Sequence, residues 1–112
     1  MASRLEVEKK PIRLAFFGAH PGDIEITAGG VIAKCAREGH TVRIVYLTRG
    51  EKGVGPKESE DEYTRRTVQE TLEIGKALGA SVRFMDYKDA ELPLSDEVKF
   101  SICDLIRELR PD

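Results

Sequence analysis

Short apolar segments alternate along the chain with longer amphipathic ones. Residues 12–18 and 41–47 are rich in β-branched and aromatic residues and are bounded by turn formers, and a similar segment follows at 81–87. Their apolar continuity is typical of strands that are covered on both faces, as in parallel sheets with helical crossovers. The pattern therefore predicts three parallel β-strands.

The segments after each strand have helical spacing. Helices are predicted over 23–38, 61–78 and 96–109, with Gly39 ending the first helix and Ser95 capping the third. The predicted core-facing residues are Ile26, Val31, Ile32, Cys35 and Ala36 in the first helix, Val68, Leu72, Ile74, Ala77 and Leu78 in the second, and Val98, Ile102, Leu105, Ile106 and Leu109 in the third.

The alternation of strands and helices predicts the fold class α/β, a Rossmann-like three-layer sandwich with a parallel sheet. A chain of 112 residues with 40% hydrophobic content fits a single domain over residues 1–112. Because the repeat ends on a helix, one sheet edge and the apolar surface beside that helix are expected to lack a partner. We therefore expect either a homo-oligomer or a missing C-terminal segment after the third β-α unit.

Charge and composition narrow the classes of partner. Lysine and arginine number 18 against 20 acidic residues, so the net charge of -2 favours neither nucleic acid nor an anionic membrane. No segment is long and apolar enough to span a bilayer, and the charged opening over 1–10 lacks the core of a signal peptide. The sequence predicts a cytoplasmic protein. Cys35 and Cys103, without metal or disulfide spacing, are expected to be buried thiols.

The candidate chemistry lies where the first strand enters the first helix through the segment His-Pro-Gly-Asp. His20 and Asp23 provide an imidazole and a carboxylate, which are ligand types of a catalytic zinc ion. A simpler interpretation is that His20 is satisfied by a backbone carbonyl while Asp23 caps the helix. Nucleotide binding is disfavoured because the glycines match neither phosphate-binding pattern and an acidic helix start repels phosphate.

A longer stretch carries a resemblance to a known family. The sequence AHPGDIEITAGGVIAKCAREGHTVRIVYLTRGEKG resembles the opening of the LmbE-like, or PIG-L, family of zinc-dependent N-deacetylases, and the resemblance extends over nearly the whole chain. Its usual first motif is A-H-P-D-D-x-E, and its second strand closes in LT-x-G-E-x-G. The matching residues are Ala19, His20, Pro21, Asp23, Glu25, Gly29, Gly30, Thr48, Gly50, Glu51 and Gly53.

The resemblance implies roles for residues in the first motif. His20 and Asp23 would bind Zn²⁺, whereas Gly22 occupies the position of the family's general base and has no group that could accept a proton. Glu25 is expected to cap the helix rather than replace that base. The family's third ligand is a histidine beyond residue 112, and His40 is expected to be a solvated turn residue at the opposite edge of the sheet.

Two further residues match positions on the substrate side of the family's site. Arg66 matches an arginine that helps to position substrate, and Asp89 matches the aspartate of a D-G-x-L segment in which Ala90 replaces glycine. Arg66 also has a simpler interpretation, as a solvated helix charge paired with Glu62 or Glu70.

The resemblance implies a zinc-dependent hydrolase that deacetylates an N-acetylated amino sugar or a similar small molecule. The glycine at position 22 leaves a second enzyme class open, since some relatives with glycine there resemble metal-dependent hydratases of organic acids. A third alternative is a catalytically inactive truncated homologue that serves as a binding or assembly module.

Overall fold

The computed structural model describes residues 10–112; the charged opening over 1–9 lies outside the described residues. The elements are β1 (Arg13–Gly18), α1 (Asp23–Arg37), β2 (Thr41–Tyr46), a short 3₁₀-helix (Glu51–Gly53), α2 (Glu60–Leu78), β3 (Ser81–Phe84) and α3 (Asp96–Leu109). The predicted strands and helices are confirmed. Their bounds agree within one residue, except that β3 ends three residues earlier than expected.

The sheet has the strand order β1-β2-β3, and both pairs of neighbours are parallel. In the register, Phe16 pairs with Ile44, and Ile44 pairs with Val82. The central strand is the most buried one, because helices cover it and strands flank it on both sides. Ile44, Val45 and Tyr46 are all fully buried. This arrangement confirms the α/β class with a parallel sheet.

The main core lies between the sheet and the first two helices, which contact each other. Its fully buried centre is formed by Ile32 of α1 together with Ile44 and Tyr46 of β2. Since alternate strand residues point to opposite faces, the even-numbered residues of all three strands except Gly18 belong to this cluster. The partly buried residues packed against it are Leu14, Phe16, Ile24, Ala28, Cys35, Leu78, Ala80, Val82 and Phe84.

The face of α1 that packs on the sheet differs from the predicted one. Ile26 and Val31 are exposed, at 87% and 57% of their surface. Ile32 and Cys35 pack against the core as predicted, and Ile24 and Ala28 complete this face, which follows the spacing of a helix face more closely. The prediction was wrong at Ile26 and Val31 because apolar residues also occupy the outer side of this helix.

The packed face of α2 differs in part from the predicted one, because Leu78 packs against the core as predicted whereas Ala77 is exposed. Thr71 and Gly75 are buried, whereas Leu72 and Ile74 are almost half exposed. A Cβ atom at Gly75 would lie 2.4 Å from Val82 Cγ2, so the helix backbone approaches β3 too closely for a larger side chain. Because α2 lies so close to β3, small residues occupy the face that packs against the sheet. The apolar residues Leu72 and Ile74, which were predicted to face the core, lie on another side of the helix.

The third helix covers the opposite face of the sheet. Ser95 accepts a hydrogen bond from the Val98 N–H, which confirms the predicted N-cap. Val98 and Leu105 are buried, and Glu108 pairs with Arg83 of β3 at 3.1 Å, on the face turned away from α1 and α2. The sandwich therefore has three layers, as predicted.

The outer edge of β1 is contacted by the last residue of the chain. The Asp112 N–H donates to the Arg13 carbonyl at 2.8 Å, and the Arg13 N–H donates to Asp112 Oδ2 at 2.9 Å. The chain's last residue therefore contacts the start of this edge, while the expectation that the edge lacks a partner strand stays a prediction. Apolar side chains remain exposed on α3, with Phe100 at 66%, while the expected oligomer stays a prediction.

The structure also bears on two expectations from the sequence, the burial of the two cysteines and the lack of a membrane-spanning segment. Cys103 is exposed rather than buried, because it lies on the outer side of α3, whereas Cys35 is partly buried against the core. Within residues 10–112, the helices are either too short or too polar to cross a bilayer.

Candidate metal and substrate site

The His-Pro-Gly-Asp segment forms a tight turn between β1 and α1. The His20 N–H donates to Asp23 Oδ2 at 3.0 Å, and the Asp23 N–H donates to the His20 carbonyl at 3.2 Å. Their side chains also meet, with His20 Nδ1 3.3 Å from Asp23 Oδ2, and both are about half exposed. The structure thus brings the two predicted metal ligands together at the carboxyl end of β1.

Gly22, at the position where the sequence resemblance implies a general base, is the N-cap of α1. Its φ of 102° lies in the region that favours glycine, because a Cβ atom makes this conformation strained. The Glu25 carboxylate reaches back and accepts a hydrogen bond from the Gly22 N–H at 2.8 Å. The expected capping role of Glu25 is confirmed, and its carboxylate is directed into the protein rather than toward the His20 and Asp23 pair.

A buried tyrosine holds this capping carboxylate in place. The hydroxyl of Tyr46, at the end of β2, donates to Glu25 Oε2 and accepts from the Ile24 N–H at 3.2 Å. Burial, followed by the hydrogen bond to Glu25, raises the pKa of the Tyr46 hydroxyl well above its ordinary range. Sequence reasoning treated Tyr46 as part of an apolar strand and missed this role, although a strand-end tyrosine with a polar tip was a usable signal.

The loop after β3 brings a third polar side chain to His20. Asp89 Oδ1 lies 3.1 Å from His20 Nε2, and the residue is only 8% exposed. Its second oxygen accepts from the Lys52 N–H at 3.1 Å, while the Asp89 N–H donates to Glu51 Oε1 at 2.7 Å. The His20 imidazole is therefore flanked by two carboxylates, one at each ring nitrogen, which the sequence analysis did not anticipate.

The loop after β2 packs directly against the His20 turn. The Thr48 hydroxyl is buried and donates to the Ala19 carbonyl at 2.9 Å, and it also accepts from the Gly50 N–H. A Cβ atom at Gly50 would lie 3.5 Å from His20 Cβ, so the backbones of the two loops are in close contact. The loops after all three strands meet at one edge, as parallel topology requires.

Arg66 is not among the residues that surround His20. Its guanidinium pairs with Glu58 at 2.6 Å and with Glu70 at 3.6 Å, and it lies over the ring of Tyr63. The hydrogen bond to Glu58 raises the pKa of Arg66. The pairing with Glu70 is confirmed. In the described part of the chain, Arg66 forms no ion pair with Glu62, and Glu58 was not predicted.

His40 lies at the opposite end of the sheet from His20, as expected, but it is not solvated. Its side chain is only 15% exposed, and its Nδ1 accepts a hydrogen bond from the Ile12 N–H at 3.1 Å. The amide just before β1 needs an acceptor, and the imidazole in the turn before β2 provides it. His40 therefore has a structural role in joining the starts of two strands.

The donor set at His20 and Asp23 fits two positions of a zinc site. One imidazole nitrogen and one carboxylate oxygen, 3.3 Å apart, can share a single ion. Asp89 cannot join them through the same nitrogen, because it faces Nε2 on the other side of the ring. Among residues 10–112, no three histidine, cysteine, aspartate or glutamate side chains are arranged to hold a metal ion.

Comparison with known protein families identifies the family to which these loops belong. The family model described as PIG-L: GlcNAc-PI de-N-acetylase matches residues 15–112, which include all three loops around His20. The chain belongs to the PIG-L family. The matched region contains every strand and helix except the first residues of β1.

Individual PIG-L relatives include both hydrolases and a hydratase. The chain is 31% identical over 102 residues to 4-oxalmesaconate hydratase of Pseudomonas putida, which covers 84% of this chain and 39% of that protein. It is 35% identical over 94 residues to diacetylchitobiose deacetylase of Thermococcus kodakarensis, and this match covers 82% of this chain and 35% of that protein. The chain thus spans less than half of the length of these relatives.

A solved structure supports the same relationship. The fold is similar to that of N,N'-diacetylchitobiose deacetylase from Pyrococcus horikoshii, with a TM-score of 0.84 and 30% identity. The similarity covers 89% of this chain and 38% of that one. The Rossmann-like, LmbE-like fold predicted from the sequence is thereby confirmed.

Proposed function

We propose that this chain provides the metal-binding loops of a PIG-L type zinc hydrolase that deacetylates an N-acetylated amino sugar or a similar small molecule. Water would add to the amide carbonyl, and cleavage of the C–N bond would release acetate and the free amine. The deacetylase relatives, one of which is named for diacetylchitobiose, support this class of substrate. A cytoplasmic location and assembly into a homo-oligomer remain part of the proposal.

The observation that carries the proposal is the contact between His20 Nδ1 and Asp23 Oδ2 at the carboxyl end of β1. These two side chains would hold the ion, while water, a partner chain or a further segment of the protein would complete the site. Zinc in such a site supplies a Lewis acid and lowers the pKa of a water nucleophile toward neutrality. Arg66 and Asp89 are proposed to lie on the substrate side, as the sequence suggested.

The proton acceptor for this reaction is not assigned to position 22, because Gly22 has no side chain that could accept a proton. General-base catalysis typically contributes about 10²- to 10⁴-fold in rate, so a hydrolase built on this loop needs another acceptor. Glu25 is a poor candidate, since its Oε2 is engaged by Gly22 and Tyr46.

A second candidate function is metal-dependent hydration of a double bond in an organic acid. Gly22 supports it through the sequence resemblance, because some relatives with glycine at this position resemble metal-dependent hydratases of organic acids. The relationship to a hydratase over most of this chain supports it as well. Parallel assays on N-acetylated amino sugars, with release of acetate as the readout, and on unsaturated dicarboxylic acids would separate the two candidates.

The first test is zinc binding by the chain and by variants of the two proposed ligands. The affinity for zinc can be measured by competition with a chromogenic chelator. We expect the unmodified chain to bind zinc, and His20→Ala and Asp23→Ala to bind it with at least tenfold lower affinity. The matched controls are His40→Gln, since His40 lies at the other end of the sheet, and Asp86→Asn, since the Asp86 side chain is 94% exposed. Both controls should bind zinc as the unmodified chain does.

Two outcomes would contradict the site assignment. Either the His20 and Asp23 variants keep full zinc affinity, or the controls lose it to the same extent. If the unmodified chain takes up no zinc and also self-associates, the alternative of an inactive binding or assembly module is favoured instead.

A further inference from the structure

We propose that Asp89 is a positioning residue that holds the His20 imidazole in its Nε2–H tautomer, so that Nδ1 presents its lone pair on the side of Asp23. The part of this proposal that concerns metal binding rests on the proposed function, whereas the tautomer itself does not. It gives Asp89 a role toward His20 in addition to its proposed place on the substrate side.

The argument begins with the two carboxylates that flank the ring. Asp89 Oδ1 lies 3.1 Å from Nε2, and Asp23 Oδ2 lies 3.3 Å from Nδ1. A neutral imidazole carries one N–H, so it can donate to only one of these oxygens and must turn a lone pair toward the other. The environments of the two carboxylates decide which nitrogen carries the proton.

The environment of Asp89 favours the proton on Nε2. The Asp89 side chain is only 11% exposed, so water has little access to replace a missing donor. Its Oδ2 already accepts from the Lys52 N–H, whereas the contact of Oδ1 among the described residues is with His20. A buried carboxylate oxygen facing a lone pair is strongly disfavoured, because it loses hydration without gaining a hydrogen bond.

Asp23 depends much less on a proton at Nδ1. Its side chain is 47% exposed and can accept from water. Its Oδ2 also accepts from the backbone N–H of His20 at 3.0 Å, so this oxygen has a donor in either tautomer. The exposed carboxylate can therefore face a lone pair at lower cost than the buried one.

The loop around Asp89 is fixed by bonds that do not involve His20. The Asp89 N–H donates to Glu51 Oε1 at 2.7 Å, and the Lys52 N–H donates back to the Asp89 carboxylate. This reciprocal pair joins the loops after β2 and β3. Asp89 is consequently a fixed acceptor against which the ring of His20 is oriented.

The consequence for a metal site follows from the chemistry of histidine ligands. A ligating imidazole typically donates its other ring N–H to a carboxylate or a backbone carbonyl, which sets the tautomer and the ring orientation. With Nε2–H directed at Asp89, Nδ1 is the nitrogen that remains for an ion shared with Asp23. Asp89 would increase metal affinity without contacting the ion.

The experiment measures the tautomer directly in the metal-free 112-residue chain. Long-range ¹H–¹⁵N correlation spectra recorded at alkaline pH distinguish the Nε2–H tautomer of a neutral imidazole from the Nδ1–H tautomer. His20 and His40 are the only histidines in the chain, so a His40→Gln background leaves one ring to assign. We expect His20 to be predominantly Nε2–H.

Variants of Asp89 should change this ratio. In Asp89→Ala, we expect the ratio of Nε2–H to Nδ1–H to fall by about tenfold, the effect of losing one charge-assisted hydrogen bond. Asp89→Asn retains an acceptor for the Lys52 N–H and serves as the second variant if Asp89→Ala does not fold. In Asp89→Asn we expect a smaller decrease in the ratio. Asp86→Asn is the matched control, because it removes one negative charge from the same loop without facing His20, and it should leave the ratio unchanged.

The results separate this inference from the proposed function. An Nδ1–H tautomer in the unmodified chain, or an unchanged ratio in folded Asp89→Ala, would overturn the role of Asp89 even if zinc binds. An Nε2–H tautomer that depends on Asp89 supports it even if zinc does not bind, in which case the proposed function alone fails. Added zinc that shifts the Nδ1 resonance supports both.

Discussion

The buried hydroxyl of Tyr46 offers a test of how the His20 loop is held. In Tyr46→Phe, the Ile24 N–H loses its acceptor and the Glu25 carboxylate loses a donor, while the aromatic ring stays in the core. Because a buried group left without its partner costs about 1–3 kcal/mol, we expect the free energy of unfolding to fall by that amount at neutral pH. Glu25 retains the bond from Gly22, so the loop itself should persist.

The pH dependence of this effect follows from the raised pKa of Tyr46. In the unfolded chain a tyrosine releases its proton near pH 10, whereas in the folded protein burial and Glu25 keep the hydroxyl protonated to higher pH. The stabilising contribution is therefore fully present below about pH 10 and is lost as pH rises toward the folded-state pKa. The loss is at most ~1.4 kcal/mol for each pH unit, the value for one proton.

Urea denaturation followed by circular dichroism would measure this difference. Unfolding free energies of the unmodified chain and Tyr46→Phe should be compared from about pH 7 to pH 11, and their difference should shrink above about pH 10. Tyr63→Phe, which removes a hydroxyl outside the Glu25 network, controls for general effects of alkali and of losing a phenol. A difference between the two proteins that stays constant, or grows, up to pH 11 would refute the reasoning.

Three stability predictions concern other parts of the fold, and each can be checked by the same urea titration. Ala90→Gly should stabilise the fold by about 0.5–1 kcal/mol, because Ala90 has a φ of 63°, where an L residue costs about 1–2 kcal/mol. Glycine removes this strain but increases the conformational entropy of the unfolded chain, which offsets part of the gain. An unchanged urea midpoint would contradict this prediction. Ser95→Ala should destabilise by about 1 kcal/mol through loss of the cap on the Val98 N–H, with Ser95→Asp as the variant that should retain stability. Gly75→Ala should destabilise by about 1–3 kcal/mol in spite of the better helix propensity of alanine, since its Cβ would collide with Val82; a gain in stability would show that the helix can move away.

The part of the site that could be predicted from the sequence is local. His20 and Asp23 are separated by one tight turn at the end of an apolar strand, so the chain itself brings them together. The capping role of Glu25 could be predicted for the same reason, because it depends on a three-residue spacing at a helix start.

The contacts that were missed join residues far apart in the chain. Asp89 meets His20 only because β2 lies between β1 and β3 and all three strands run parallel, which brings the loops after β1 and β3 to one edge. The direction of each side chain in these loops depends on backbone bonds such as the one from Lys52 to Asp89. The sequence pattern therefore predicts that the loops lie at one edge of the sheet, but it does not predict the direction of each side chain.

The helix faces were predicted less well than the helix bounds, and the reason is packing distance. Hydrophobic periodicity assumes that the largest apolar residues face the core, yet Gly75 and Thr71 of α2 face it because the helix lies close to β3. The apolar residues displaced from that face, such as Ile74, remain almost half exposed.

The three loops at the sheet edge are joined mainly through backbone groups. The Thr48 hydroxyl donates to the Ala19 carbonyl and the Asp89 N–H donates to Glu51, whereas the bond from the Gly22 N–H to Glu25 lies within the first loop and the start of α1. None of these bonds depends on a side chain at position 22, and a Cβ atom there would meet only Ile26 Cδ1, at 3.9 Å. The strain of a side chain at a φ of 102° is of order 1–3 kcal/mol, which many domains with a stability of about 5–15 kcal/mol could tolerate. The fold therefore favours glycine at position 22 through its backbone conformation but leaves space for a side chain there, so the difference between a family member with a carboxylate at this position and this chain is a difference in chemistry on a shared scaffold.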